Sequence, residues 1–598
     1  MAAEITGNIG FLQGGYRYTV RRILANYRRK LTNYESVVAY SLLGVIGGLA
    51  SGAIVLAFEL AIGAAAGLWG VGDSGEAFEA LPRWVLFALP AGGALLLGLA
   101  YHLLDPEDRE TGIVHVLSRM HSHNGVLPLR NALVQFICGT FALATGRSGG
   151  RDCPGVHLGG AVNSLLGQRL GLPNNSLRVL IACGTAGGIA AAFNTPLAGV
   201  IFAMEVIVAE YSVVGFIPVI LAAVSASAVS QFFSPAGAVF VIRSLQLESL
   251  LEIPFIMLLG VVCGISVALF VWISKWATRL SHWPVSLRFA LAGLLTGSLA
   301  LNVPQILGVG YDTLNDALHG QLAMQMLLVI ALAKLLATAV SCGVGMPIGL
   351  IGPNLLIGAC IGGAMGIAGG WIQPELASHP TVYIVIGMAA AMGTVLNAPL
   401  AAILAVVELT HSVSIAMPAM LAIVAATLTH TGIFRQRSAH QTVLRQLQRM
   451  VPSDPLNQLL HRTDVSSTMD VRVVRVPILL APEDMEPLLE FTPTWCLVER
   501  GSEDLYLVKG DELLAWLADS MDEEQGADLG EAGIRRWSIA AVPVQATLRQ
   551  AMDTMRKQTV EAVCVYERSA ASGKRILHGV LTRETIEEFS LALSLIHI

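Results

Sequence analysis

The chain has 598 residues, 54% hydrophobic and 13% charged, with 60 glycines, a mean hydropathy of +0.64 and a net charge of −6. So apolar a composition excludes an ordinary soluble domain, points to a polytopic membrane protein, and leaves no electrostatic footprint for nucleic acid. The eight cysteines, Cys138, Cys153, Cys183, Cys263, Cys342, Cys360, Cys496 and Cys564, show neither CxxC spacing nor a disulfide pattern. They read as small buried hydrophobes, so no metal and no cofactor is expected.

Residues 1–36 are basic and amphipathic, carrying Arg17, Arg21, Arg22, Arg28, Arg29 and Lys30 before the first apolar run. The positive-inside rule therefore places this end in the cytoplasm. Apolar runs follow at 38–67, 84–104, 131–145, 156–170, 176–192, 196–232, 252–277, 286–301, 324–342, 351–370, 381–395 and 400–431. Several are too short to cross a hydrocarbon core of about 30 Å upright, which takes roughly 20 residues. Broken helices are implied, and backbone that stops at membrane depth must be buried in protein or line a cavity.

Among these runs, Gly150-Arg151-Asp152-Cys153-Pro154 sets a charged pair at a helix start. Pro154 suits a first helical turn, and Gly150 lets the approaching backbone bend. A helix N-terminus carries roughly half a positive charge and binds anions, so a carboxylate tethered there competes with a mobile anion. Asp152 then reads as a protonatable gate, or more simply as an N-cap.

An internal repeat organises the rest. Asn194-Thr195-Pro196-Leu197-Ala198 leads to Glu205, and Asn397-Ala398-Pro399-Leu400-Ala401 leads to Glu408, each glutamate 11 residues after its asparagine. Each copy is preceded by a Gly-x-x-x-Pro helix start, Gly150 to Pro154 and Gly349 to Pro353. Two halves with broken helices at matching places point to a transport pathway between them.

On these motifs the sequence resembles the CLC family of chloride channels and proton-coupled chloride antiporters. Gly150 to Pro154 is similar to the family's Gly-Lys/Arg-Glu-Gly-Pro stretch, whose glutamate is the external gate; Asp152 fills that slot with a shorter side chain. Gly349-Leu350-Ile351-Gly352-Pro353 resembles Gly-x-Phe-x-Pro, which implies that the amides of Leu350 and Ile351 coordinate the central anion. Glu110-Thr111-Gly112-Ile113-Val114 resembles Gly-Ser-Gly-Ile-Pro, with Thr111 in the serine's place. The family's last anion ligand is a tyrosine; here His440, in His440-Gln441-Thr442-Val443-Leu444, takes its place with a one-residue insertion.

The resemblance also separates two mechanisms. Antiporters of the family carry a proton-transferring carboxylate after the repeat glutamate, and here that slot holds Val206 beside Glu205. A chloride channel is therefore expected, with proton-coupled antiport as the alternative and Glu210 as a substitute carboxylate. Glu205 and Glu408 themselves read as helix-terminal carboxylates bound to loop amides. A remote third reading, an intramembrane serine protease, rests on Gly146-Arg147-Ser148-Gly149-Gly150, with His411 or His430 as base. It leaves the repeat unexplained, and no enzyme is expected.

Past residue 433 the chain turns basic, at Arg435, Arg437, Arg445 and Arg449, and passes through a linker at 452–464. Residues 465–592 alternate short β-like runs with amphipathic helices and resemble a pair of CBS domains, opening at Ser466 to Asp470 and closing at Gly579 to Arg583. Such pairs often bind adenine nucleotides. The ribose-holding Thr-x-x-Asp reads Thr582-Arg583-Glu584-Thr585, so a structural or dimer-stabilising role is expected instead. Residues 593–598 read as a non-native tail.

The expected whole is an all-α polytopic membrane domain of two inverted-topology repeats, 37–232 and 252–451, plus a cytoplasmic α/β CBS-pair domain. The family resemblance implies a homodimer in the cell membrane, with a pore in each subunit, both termini cytoplasmic, and small anions such as chloride as the transported species.

Overall fold

The computed structural model describes residues 37–71, 77–123, 125–172, 174–209, 213–233, 247–374, 378–446, 460, 463–481, 488, 492–500, 504–520, 527–530, 532–568 and 575–596. The expectations for segment 1–36, for most of 452–464, for Glu210 and for the last two residues lie outside these. The chain divides into a helical unit, residues 37–170 with 177–451, and a second unit built mainly on residues 452–598.

The helical unit is a mostly helical membrane domain. Among the described residues, eight helices are long and apolar enough to span a membrane. Its helices are α1 (Val37–Gly67), α2 (Arg83–His102), α3 (Gly112–Ser122), α4 (Leu129–Ala144), α5 (Asp152–Leu170), α6 (Asn174–Phe193), α7 (Pro196–Phe202) and α8 (Val213–Phe233). The same order then recurs in α9 (Ile253–Thr278), α10 (Val285–Ala300), α11 (Tyr311–Leu318), α12 (Met324–Gly343), α13 (Ile351–Ile372), α14 (Pro380–Leu396), α15 (Pro399–Thr410) and α16 (Ala416–Thr427), before a final short α17 (Ala439–Gln446). Each long apolar run at the end of a half is two elements, split by a left-handed residue, Ala209 (φ 56°) or His411 (φ 51°).

The repeated Asn-x-Pro now has a physical reason. Asn194 and Asn397 end α6 and α14 in the left-handed conformation, at φ 56° and 55°, and the proline two residues later opens the next helix. The repeat glutamates bind across halves. Glu408 accepts from the Leu197 and Ala198 N–H groups at 2.9 and 2.8 Å. Glu205 accepts from Leu400 and Ala401 at 3.4 and 2.9 Å. Each carboxylate thus caps the N-terminus that the other half's proline opens, on first-turn helix amides where loop amides were expected. Glu408→Ala should cost about 1–2 kcal/mol, the usual loss for a charged N-terminal cap, and lower the unfolding midpoint in detergent; an unchanged midpoint would refute the cap.

The helices that begin at the two Gly-x-x-x-Pro starts are held by close backbone approach. A Cβ at Gly159 would strike the Gly184 carbonyl, and one at Gly358 would strike the Gly387 carbonyl. Small residues thus let α5 lie on α6 and α13 on α14, fixing where the helix N-termini α5 and α13 point.

The second unit holds β1 (Val473–Pro477), β2 (Leu479–Leu480), β3 (Trp495–Arg500), β4 (Asp504–Lys509), α18 (Gly510–Ser520), β5 (Ala527–Asp528), β6 (Trp537–Pro543), α19 (Leu548–Gln558), β7 (Ala562–Arg568), β8 (Arg575–Thr582) and α20 (Arg583–Ile596). Six strands form one sheet in the order β1-β3-β4-β6-β7-β8. β1 is parallel to β3 and β3 antiparallel to β4; β6, β7 and β8 repeat that pattern. Strand β6 buries Trp537, Ala540 and Val542, a spacing that departs from strict alternation and gives a weak strand signal in the sequence. Thr582 Oγ1 meets Thr585 Oγ1 at 2.7 Å, so the threonine pair closes on itself where a carboxylate would stand.

In this unit, burial pushes the Asp464 carboxyl up to about 7, from the usual 3.8, and its Oδ1 has no partner among the described residues. The folded unit therefore holds a proton that the unfolded chain releases. That contribution is full below pH 3.8 and is lost as pH rises to about 7. Asp464→Asn should flatten this slope and raise resistance to proteolysis of the second unit at pH 8 in the full chain; an unaltered pH profile would contradict the assignment.

Candidate functional site

Asp152 begins α5 and Ile351 begins α13, and the loops before them are stitched together. The Gly150 N–H donates to the Gly349 carbonyl at 2.8 Å, and the Gly349 N–H donates back to Gly150 at 2.7 Å. Pro154 and Pro353 each sit in the first turn of their helix. Below this bridge the fully buried Asp152 carboxylate accepts from the Ile351 N–H at 3.0 Å and, more loosely, from the Gly352 N–H at 3.5 Å. The carboxylate therefore fills the N-terminal cradle of α13, where an anion is favoured. The Cys153 thiol also donates to it, at 3.5 Å. Arg151 turns to Glu59 at 3.3 Å and lies over the Tyr311 ring.

A cavity of about 360 Å³ reaches Cys153 and Leu350, the chain neighbours of Asp152 and Ile351. Thr111, Cys153, Leu350 and His440 line it together with Arg109, Arg288, Glu110 and His115. Thr111 and His440 come from α3 and α17, so the structure brings the two altered ligand positions into one space with the α13 amides nearby. Two arginines against one glutamate give the lining a positive bias that draws anions. Thr111 occupies the N-cap position of α3 but makes no capping bond, and His440 Nε2 has no partner among the described residues.

Residues that sequence reasoning missed shape the Thr111 loop. On one face of α4, Asn131 Nδ2 donates to the Glu107 and Glu110 carbonyls at 2.8 and 3.0 Å. Gln135 accepts from the Gly112 N–H at 2.8 Å and donates to the Pro347 carbonyl at 3.2 Å. These bonds do the shaping that a glycine and a proline would otherwise supply in the motif. Lys334, fully buried in α12, donates to the Ile306 and Gly308 carbonyls at 3.0 and 2.8 Å; Gly308 in turn accepts from Gly149. The signal for Lys334 was a lone charge inside an apolar run.

Val206 is half-buried against the core and presents no titratable group. Glu205 and Glu408 are committed to amides of the opposite half and do not line the cavity. The buried Ser148 hydroxyl pairs with Thr338 at 2.9 Å. His430 instead meets the Arg437 carbonyl, and His411 sits exposed at a left-handed turn. The protease reading thus fails at its first requirement, a histidine on the serine.

A profile of the family described as voltage gated chloride channel matches residues 93–431, more than half of the chain. The chain belongs to this CLC family. This CLC chain is 32% identical over 358 residues to a ClcB-like chloride channel protein of Ralstonia nicotianae, covering 59% of this chain and 83% of that one. It is 29% identical over 397 residues to the H(+)/Cl(-) exchange transporter ClcA of Vibrio campbellii, covering 64% and 83%. Among solved structures, a slow cyanobacterial Cl−/H+ antiporter shares the fold of this CLC chain with a TM-score of 0.61 at 20% identity, over 68% of this chain and 97% of that one. Members of this family are membrane transporters, not enzymes.

Proposed function

We propose that this CLC protein exchanges chloride for protons across a membrane, with Asp152 as the carboxylate for which both ions compete. The observation that carries the reading is the seat of the Asp152 carboxylate on the Ile351 and Gly352 amides. Chloride can enter that cradle only when the carboxylate leaves it, and protonation removes the charge that holds it there. Proton binding and anion binding at one helix terminus are then linked, and linkage is reciprocal. Kinship with ClcA exchange transporters supports this reading over the channel expected from Val206.

In this assignment the Thr111 hydroxyl, the Leu350 and Ile351 amides and His440 surround the chloride, while Gly150, Arg151, Pro154, Gly349 and Pro353 form the two helix starts. Residues 37–232 and 252–451 are the repeat halves. The protein works as a homodimer with one pathway per subunit, both termini cytoplasmic. The paired strand pattern of the second unit supports a CBS pair over 465–592 with a structural role, because Thr585 supplies no carboxylate to a ribose.

The test is chloride efflux from proteoliposomes with external pH recorded. Exchange predicts proton uptake in fixed ratio to chloride; chloride leaving and protons entering both carry positive charge inward, so a potential shunt is supplied throughout and proton movement decides. A second reading, passive conduction, follows from the uncharged Val206, and chloride release that moves no protons would establish it instead.

A further inference from the structure

Coupled exchange needs a group that carries protons between the cavity and Asp152, and the residues named so far include none. Val206 cannot hold a proton, and Glu205 is tied to Leu400 and Ala401. A pair of buried histidines lies beside the pathway. His115 Nδ1 and His157 Nε2 are 2.8 Å apart, and both side chains are almost fully buried. Arg119 Nε donates to His115 Nε2 at 3.1 Å, so the neutral His115 carries its proton on Nδ1 and gives it to His157 Nε2. The His157 proton then sits on Nδ1, which has no partner among the described residues.

Both ends of the pair have a destination. His115 lines the cavity, and the Glu110 carboxylate stands 3.9 Å from its Nε2. His157 lies on α5 one turn beyond Cys153, on the same face, and the Cys153 thiol touches Asp152 at 3.5 Å. The other charged or titratable groups around are Arg109, Arg288 and His440 across the cavity, and the Glu59–Arg151 pair between α1 and the start of α5.

We infer that His115 and His157 form a proton-transfer pair that connects the Glu110 side of the cavity to Asp152. The inference rests on the exchange reading. A proton leaves the Glu110 carboxyl and adds to His115 Nε2 as Arg119 releases it. The His115 Nδ1 proton passes to His157 Nε2, and the His157 Nδ1 proton passes through water at the Cys153 face to the Asp152 carboxylate. Each transfer breaks one O–H or N–H bond and forms another; the relay leaves both rings protonated on Nε2, and loss of that proton with gain of one on Nδ1 through cavity water resets the pair.

The test records chloride and proton flux together in vesicles holding the full chain, for wild type, His115→Gln and His157→Gln. Proton flux should fall by at least about tenfold while chloride flux stays within about twofold, as expected on removing a positioned proton carrier. Adding Val206→Glu to His157→Gln should restore proton flux. A wild-type proton-to-chloride ratio in both histidine variants would overturn the pair, as would parallel loss of both fluxes in both, which marks a structural role. A coupled wild type with unaltered variants sinks the pair alone; a wild type that moves no protons sinks the exchange reading and the pair together.

Discussion

Asp152→Ala is expected to carry chloride without protons, at a rate that no longer depends on pH. The wild-type carboxylate occupies the α13 terminus through the Ile351 and Gly352 amides. Removing it leaves those N–H groups and the helix dipole facing an empty cradle, which retains roughly half a positive charge to hold an anion. Chloride flux should therefore survive or rise, while proton flux falls to the leak of protein-free vesicles. Because protonation frees the wild-type carboxylate, wild-type chloride flux should rise in acid and the variant profile should be flat. Paired flux recordings across pH check both points. A variant that still moves protons in ratio to chloride would remove Asp152 from the mechanism.

Gly349→Ala is expected to reproduce much of that phenotype with Asp152 still present. A Cβ at Gly349 would lie 2.5 Å from Asp152 Cγ and 2.6 Å from Oδ2, nearer still to Oδ1. The methyl and the carboxylate cannot share the cradle. The side chain is the softer partner, since Gly349 is pinned by two backbone bonds to Gly150. Ejecting the carboxylate should flatten the pH response and uncouple the ions, at some loss of stability. The double variant Gly349→Ala with Asp152→Ala separates causes: if the methyl acts through the carboxylate, it should match Asp152→Ala alone in pH profile and ion ratio. A further change in the double variant would instead mean that the methyl distorts the anion site directly.

The two halves were legible because their punctuation recurs: asparagine in the left-handed region, proline after it, glycine and proline at the broken-helix starts. The Asp152 carboxylate, expected at the N-terminus of its own helix, instead accepts from the amides that open α13 in the other half. Spacing alone could not show whose amides each repeat glutamate binds, since the partners lie about 200 residues away and either half offers the same donors. Helix α3 carries no span signal, being eleven residues of mixed polarity. The His115 and His157 pair escaped for a different reason. The two are 42 residues apart on different helices, and each alone reads as an ordinary buried ring. Asn131 and Gln135 likewise looked like polar residues within a helix; only the fold shows their one face against the Thr111 loop.

The crossed glutamates carry one last consequence. A contact in which the first copy's acid serves the second copy's amides, and the reverse, is the contact two identical subunits would make about a twofold axis. Fused in one chain, it behaves as an internal dimer interface: neither Pro196 nor Pro399 opens a fully satisfied helix until the opposite half has been made. During synthesis the first half therefore waits, its α7 amides unmet, until the ribosome has passed Glu408. Loss of either glutamate is therefore felt in the other half, as unmet amides after Pro196 or Pro399.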